Sequence, residues 1–240
     1  MKQTLARRVV AEGLGTAMLL AAVVGSGIMA ERLAGGNVAI ALLANTVATG
    51  AALVALILTF GTISGAHFNP ALTLCDAWQK GISWSDAFAY IGAQIGGAFA
   101  GVAAANLMFE LPVFFASQKA RTGAGQWFSE FVATFGLLAV IWGCSRLRST
   151  IAVPFAVAAY IMAAYWFTAS TSFANPAVTA ARSMSNTFAG IRPIDTFGFI
   201  VAQFLGAIIA TVFFRWLVPI NQKEAETVII PHQGKSDLTE

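Results

Sequence analysis

The tripeptide Asn-Pro-Ala stands twice in this chain, at Asn69-Pro70-Ala71 and Asn175-Pro176-Ala177. Each copy lies inside an apolar stretch, just after a run rich in Gly, Ser and Thr. Proline suits the first position of a helix, where its missing N–H costs nothing. Asparagine just before it can cap that helix and still present an amide donor sideways. The segments that follow run about 10–12 residues, too short to cross a bilayer, so re-entrant half-helices are the natural reading.

Composition places the chain in a membrane. Hydrophobic residues make up 58% and charged residues only 10%, against roughly 25% charged in soluble domains. Six runs are long enough to span, at about 8–30, 38–60, 84–107, 127–147, 150–168 and 196–218, given that about 20 apolar residues suffice. The first is Gly-rich, carries Glu12 and lacks a small-residue cleavage site, which reads as a retained span rather than a signal peptide. Lys2, Arg7, Arg8, Lys80, Arg146, Arg148 and Lys223 fall on one side of a six-span topology, and Arg32, Lys119, Arg121 and Arg192 on the other. By the positive-inside rule both termini then face the cytoplasm. The basic residues are dispersed, which argues against a nucleic-acid face. Cys75 and Cys144 sit in or beside apolar segments and read as buried free thiols. His67 and His232 lie far apart, and no metal-ligand spacing or nucleophile–base set is present. The expectation is no cofactor, no metal and no enzymatic activity. The polar tail at 219–240 is given no function.

The two halves echo each other. Ala11-Glu12-Gly13-Leu14-Gly15-Thr16 aligns with Ser129-Glu130-Phe131-Val132-Ala133-Thr134, and Ala93-Gln94-Ile95-Gly96-Gly97-Ala98 with Ala202-Gln203-Phe204-Leu205-Gly206-Ala207. Three spans per half is an odd number, so the second half runs inverted in the membrane, with repeats at about 8–118 and 123–218 in one channel domain over 1–240. The two half-helices then dip from opposite sides and meet at the midplane. Their dipoles direct about half a positive charge each toward that point, which repels cations. Glu12 and Glu130, inside apolar helices, need partners. A proton relay is one reading; acceptance of hydrogen bonds from re-entrant loop backbone is the favoured one. Gln94 and Gln203 read as interhelical hydrogen-bond partners, and Gly92, Gly96, Gly97 and Gly101 as sites of close helix packing.

The contexts Ser64-Gly65-Ala66-His67-Phe68-Asn69-Pro70-Ala71 and Thr171-Ser172-Phe173-Ala174-Asn175-Pro176-Ala177 resemble the aquaporin and aquaglyceroporin family, and the resemblance extends from about Ala11 to about Val218. It implies an all-α membrane protein of six transmembrane helices and two re-entrant half-helices. It also implies a passive pore in each subunit of a homotetramer. His67 would sit at the cytoplasmic pore mouth, as packing and polarity rather than as a pH gate.

Most of the family carries an arginine directly after the second Asn-Pro-Ala; here that position is Val178. Counting back by the family's spacing puts Thr49, Ala163 and Ser172 beside it in the selectivity filter. These are four small or medium side chains without charge. Arg182 lies four residues past Val178, about 6 Å further along the helix axis. It could snorkel into the outer vestibule and attract oxygen-rich or anionic solutes, or pair with a loop carbonyl and never meet substrate; both readings stay open. The stretch from Asn175 to Arg182, with Asn186 to Ile191, looks like a bacterial branch associated with arsenic-resistance systems. The resemblance thus implies permeation by glycerol-like polyols, metalloid hydroxides such as arsenite, methylated arsenicals and water, through a bacterial inner membrane. A water-selective channel and an ion-coupled transporter are the alternatives.

Overall fold

The computed structural model describes residues 3–147 and 151–218. Lys2, Arg148, Lys223, His232 and the 219–240 tail, on which part of the topology reading rests, lie outside the described residues. Those residues form α1 (Leu5–Leu33), α2 (Val38–Ser64), α3 (Pro70–Trp78), α4 (Trp84–Met108), α5 (Ala124–Leu147), α6 (Val153–Phe167), α7 (Pro176–Arg182) and α8 (Thr196–Leu217). A short 3-10 turn at Pro193–Asp195 precedes α8. Side-chain caps set several starts. The Thr4 hydroxyl accepts from Arg7 N, Asn37 Oδ1 from Ala39 N and Ile40 N, and Ser83 Oγ from Asp86 N.

Among the described residues, five helices are long and apolar enough to cross a membrane. The expected fifth span, 150–168, is shorter: α6 has 15 residues, about 22 Å of rise. Pro154 falls in its first turn, and Thr168 breaks it in extended backbone (ψ 138°). The half-helices are also shorter than expected, at 9 residues for α3 and 7 for α7.

Each half packs its first long helix on its last, α1 on α4 and α5 on α8, while α2 meets α6 across the halves. Small residues let the backbones touch. A Cβ on Gly97 would collide with the Gly13 carbonyl, one on Gly101 with that of Ala17, and one on Gly206 with that of Phe131. Gly92 and Gly96 face open space instead, so the packing role read for all four glycines belongs to Gly97 and Gly101.

Large apolar side chains such as Leu14, Ile40, Phe128, Phe197 and Trp216 are exposed, whereas Glu12, Gln94, Glu130 and Gln203 are fully buried. This inside-out polarity suits a protein whose solvent on the flanks is lipid.

Candidate pore and its constriction

The two Asn-Pro-Ala segments meet through a reciprocal pair of hydrogen bonds. Asn69 Nδ2 donates to Ala174 O (2.8 Å), and Asn175 Nδ2 donates to Phe68 O (2.7 Å). The same side chains cap their own half-helices: Asn69 Oδ1 accepts from Ala71 N, and Asn175 Oδ1 from Ala177 N and Val178 N. Pro70 and Pro176 open the helices, and Ala71 and Ala177 are buried where α3 meets α7.

The approach to each asparagine is backbone that L residues rarely adopt. Ala66 and Phe68 have φ of 49° and 47°; Ser172 and Ala174 both have 49°. Such positions cost about 1–3 kcal/mol each and persist only where the surroundings dictate them. Buried glutamates do so here. Glu12 accepts from His67 N (2.9 Å), Phe68 N (2.7 Å), Ser64 Oγ (2.6 Å) and Gln94 Nε2 (2.8 Å). In the other half Glu130 accepts from Phe173 N (2.9 Å), Ala174 N (2.8 Å) and Gln203 Nε2 (2.6 Å). Every partner is a donor, which fits an acceptor-only carboxylate.

Two threonines that the sequence reading passed over complete the pattern. Gln94 Nε2 also donates to Thr73 Oγ1, which donates to Asn69 O; Gln203 Nε2 donates to Thr179 Oγ1, which donates to Asn175 O. The signal was available, because both motifs continue to Thr at the fourth residue after asparagine.

A cavity of about 80 Å³, measured as the space open to the centres of water-sized molecules, runs through this junction. It has room for roughly five to eight waters at about 10–15 Å³ each. Thr49, His67, Asn69, Asn175, Ser172, Val178 and Arg182 line it, among aliphatic residues from α1, α2, α5 and α6. His67 is buried at the α3 end, with Nδ1 3.1 Å from Thr73 Oγ1 and Nε2 3.7 Å from Asp76 Oδ2.

Ala163 is the exception. It lies on the exposed side of α6, and Tyr165 lines the cavity in its place. Two residues along a helix is a rotation of about 200°, so a spacing carried over from other chains selected the wrong face. Tyr165 Oη is 3.4 Å from Thr49 Oγ1. The cavity lining therefore includes three hydroxyl-bearing residues, Thr49, Tyr165 and Ser172, together with Val178 and Phe173.

Arg182 makes the loop-carbonyl bond and also borders the cavity. Its Nε donates to Ala189 O, its guanidinium stacks 3.4 Å from the Phe173 ring centroid, and it lines the cavity while only 2% exposed. Arg121 stacks on the same ring at 5.0 Å and donates to the carbonyls of Gly190 and Ser170. The loop carrying it, 109–123, lies along the end of α7: Phe115 N donates to Met184 O and Ser117 N to Ser183 O. Burial, followed by the charges of Arg121 and Arg182, holds the Lys119 ammonium down to about 8.

The family model of the major intrinsic proteins matches residues 1–151. The chain is 56% identical over 228 residues to Aquaglyceroporin AqpS of Rhizobium meliloti (strain 1021), covering 93% of this chain and 97% of that one. It is 32% identical over 212 residues to Aquaporin NIP1-4 of Oryza sativa subsp. japonica, covering 86% and 75% respectively. Among solved structures, the X-ray structure of the aquaglyceroporin from Plasmodium falciparum superposes with a TM-score of 0.67 at 20% identity, over 90% of this chain and 98% of that one. That likeness speaks for the fold.

Proposed function

The chain belongs to the major intrinsic protein family, an integral membrane channel for small neutral solutes and not an enzyme, and on that premise we propose that it conducts glycerol-like polyols, water and metalloid hydroxides such as arsenite. Methylated arsenicals fall in the same size class. The observation that carries the reading is the make-up of the cavity lining: Thr49, Tyr165 and Ser172 offer hydroxyls, Val178 and Phe173 offer apolar surface, and no arginine directly follows the second Asn-Pro-Ala. A polyol or a trihydroxide presents oxygens on one edge and a less polar body on the other, which suits a site that mixes the two.

The reciprocal Asn69 and Asn175 amides are the proposed midplane contacts for a passing oxygen. Glu12, Glu130, Gln94 and Gln203 are proposed to hold the loops rather than meet solute. Cations are excluded by the half-helix dipoles and by the positive charge of Arg182, which stands in the cavity one turn beyond Val178. Both termini are assigned to the cytoplasm of a bacterial plasma membrane, which puts Arg182 at the outer mouth and His67 at the inner one. A homotetramer, with a pore in each subunit built from repeats at about 8–118 and 123–218 of one 1–240 domain, is proposed from the family resemblance.

Tyr165 favours a second reading, a channel narrow enough to pass water alone. Stopped-flow light scattering of reconstituted vesicles separates the two. Rapid glycerol uptake that falls at least tenfold in Val178→Arg, with water flux less affected, supports the polyol reading. Fast water flux without glycerol uptake returns the chain to the water channels, and unchanged glycerol uptake in Val178→Arg removes Val178 from the filter.

A further inference from the structure

The polar groups at the α7 end of the cavity are not all used. Ser172 Oγ is buried, with the residue 3% exposed, and has no hydrogen-bond partner among the described residues. It lines the cavity immediately before Phe173, the ring on which Arg182 stacks. Arg182 spends Nε on Ala189 O, and its two terminal nitrogens have no partner among the described residues. A guanidinium edge with two free N–H groups matches two oxygens of one anion, and a buried hydroxyl left without a partner is costly.

Glu130 acts on Arg182 through its charge but accepts from Phe173 N, Ala174 N and Gln203 Nε2, and no carboxylate pairs directly with Arg182 among the described residues. Asp195 accepts from Arg192 Nε and Nη2 and from Arg121 N, and Glu31 acts on Lys119. Lys119 and Arg121 add positive charge, and Lys119 is held by Phe188 O at 2.7 Å. Among the described residues lining the cavity, Arg182 is the one whose charge is permanent; most of the rest are aliphatic. An anion is therefore welcome at Arg182 and finds no comparable partner further along, where desolvation penalises it.

We propose that the Arg182 mouth is a docking site for one small oxyanion, held by the Arg182 guanidinium edge and the Ser172 hydroxyl, and that an anion docked there obstructs neutral solutes. The obstruction rests on the channel reading above; the docking does not. It follows that Arg182, one turn out from Val178, and Ser172 beside it in the cavity lining make glycerol flux sensitive to extravesicular oxyanions.

The test uses the full chain and inorganic phosphate at pH 6, against chloride at matched ionic strength and osmolarity. In vesicles, phosphate slows wild-type glycerol uptake at least twofold with a saturating dose response. Ser172→Ala shifts the half-inhibiting concentration about five- to tenfold upward, and Arg182→Met abolishes the effect. In detergent, phosphate raises the wild-type melting temperature, and Arg182→Met does not respond. If Arg182→Met does not fold, the Ser172→Ala shift decides. Glycerol uptake that phosphate leaves untouched, or inhibition that survives in both variants, overturns the proposal. A wild type that carries no glycerol overturns the channel reading instead, and the melting-temperature arm then tests the docking site on its own.

Discussion

At Glu130 a fully buried carboxylate accepts from Phe173 N, Ala174 N and Gln203 Nε2. Glutamine there keeps the volume but turns an NH2 group toward N–H donors, leaving at least one buried donor unmatched. Such a loss costs about 1–3 kcal/mol per group, more where the lost partner was charged. Glu130→Gln is expected to destabilise the folded channel by about 3 kcal/mol, read as a lower melting temperature in detergent, and to reduce flux as Ser172 and Ala174 leave their left-handed backbone. A flux unchanged in this variant would mean that the loop holds its shape without the carboxylate. The buried glutamates, glutamines and asparagines were legible because each stood in matching places of two halves, and a pair of coincidences narrows the choice. Tyr165 was not, because its selection depends on the phase of α6, which no spacing count contains. Neither was the stacking of Arg182 on Phe173, since it joins two residues through the shape of a loop.

Along α4, the adjacent glycines Gly96 and Gly97 are expected to take opposite substitution outcomes. Gly97 and Gly101 press on the backbone of α1, whereas Gly96 faces open space. Gly97→Val is expected to force α1 and α4 apart and lower the yield of folded protein and the melting temperature. Gly96→Ala is expected to be neutral or slightly stabilising, because alanine is about 1 kcal/mol better than glycine within a helix. Equal behaviour of the two in a thermal melt would exclude backbone contact as the basis of this helix pair. The sequence marks both positions alike, and only the rotation of α4 against α1 separates them. The short α6 has a similar origin. A hydropathy run extends wherever apolar residues continue, but Pro154 and Thr168 fix where the hydrogen-bonded helix starts and stops.

For the molecule as a whole, composition and repeated motifs were enough for the inverted architecture, while the charge distribution at its mouths needed the loops in place. Asp76 and Arg182 each stand seven residues beyond their asparagine, one acidic and one basic, so matching positions of the two halves carry unlike charge, and of the two only Arg182 lines the cavity. At the Arg182 end, Lys119 is held down to about 8, against about 10.4 when free. Between these values the unfolded chain binds more protons than the folded one, so stability rises with pH across that window. The melting temperature is expected to climb from about pH 8 toward 10, and Lys119→Met is expected to flatten that rise; a slope unaltered in the variant would assign it to other groups.

The crossed Asn69 and Asn175 bonds also set a clock. Their partners lie 105 and 107 residues apart, so at roughly 5–20 residues per second of synthesis the first motif waits about 5–20 s for the second. During that interval Glu12, Ser64, Thr73 and Gln94 can close their own network, since all its members come from the first half. The nascent first half thus carries a finished loop with an unfinished tip, and the translation machinery must shelter that tip from lipid until the second half arrives.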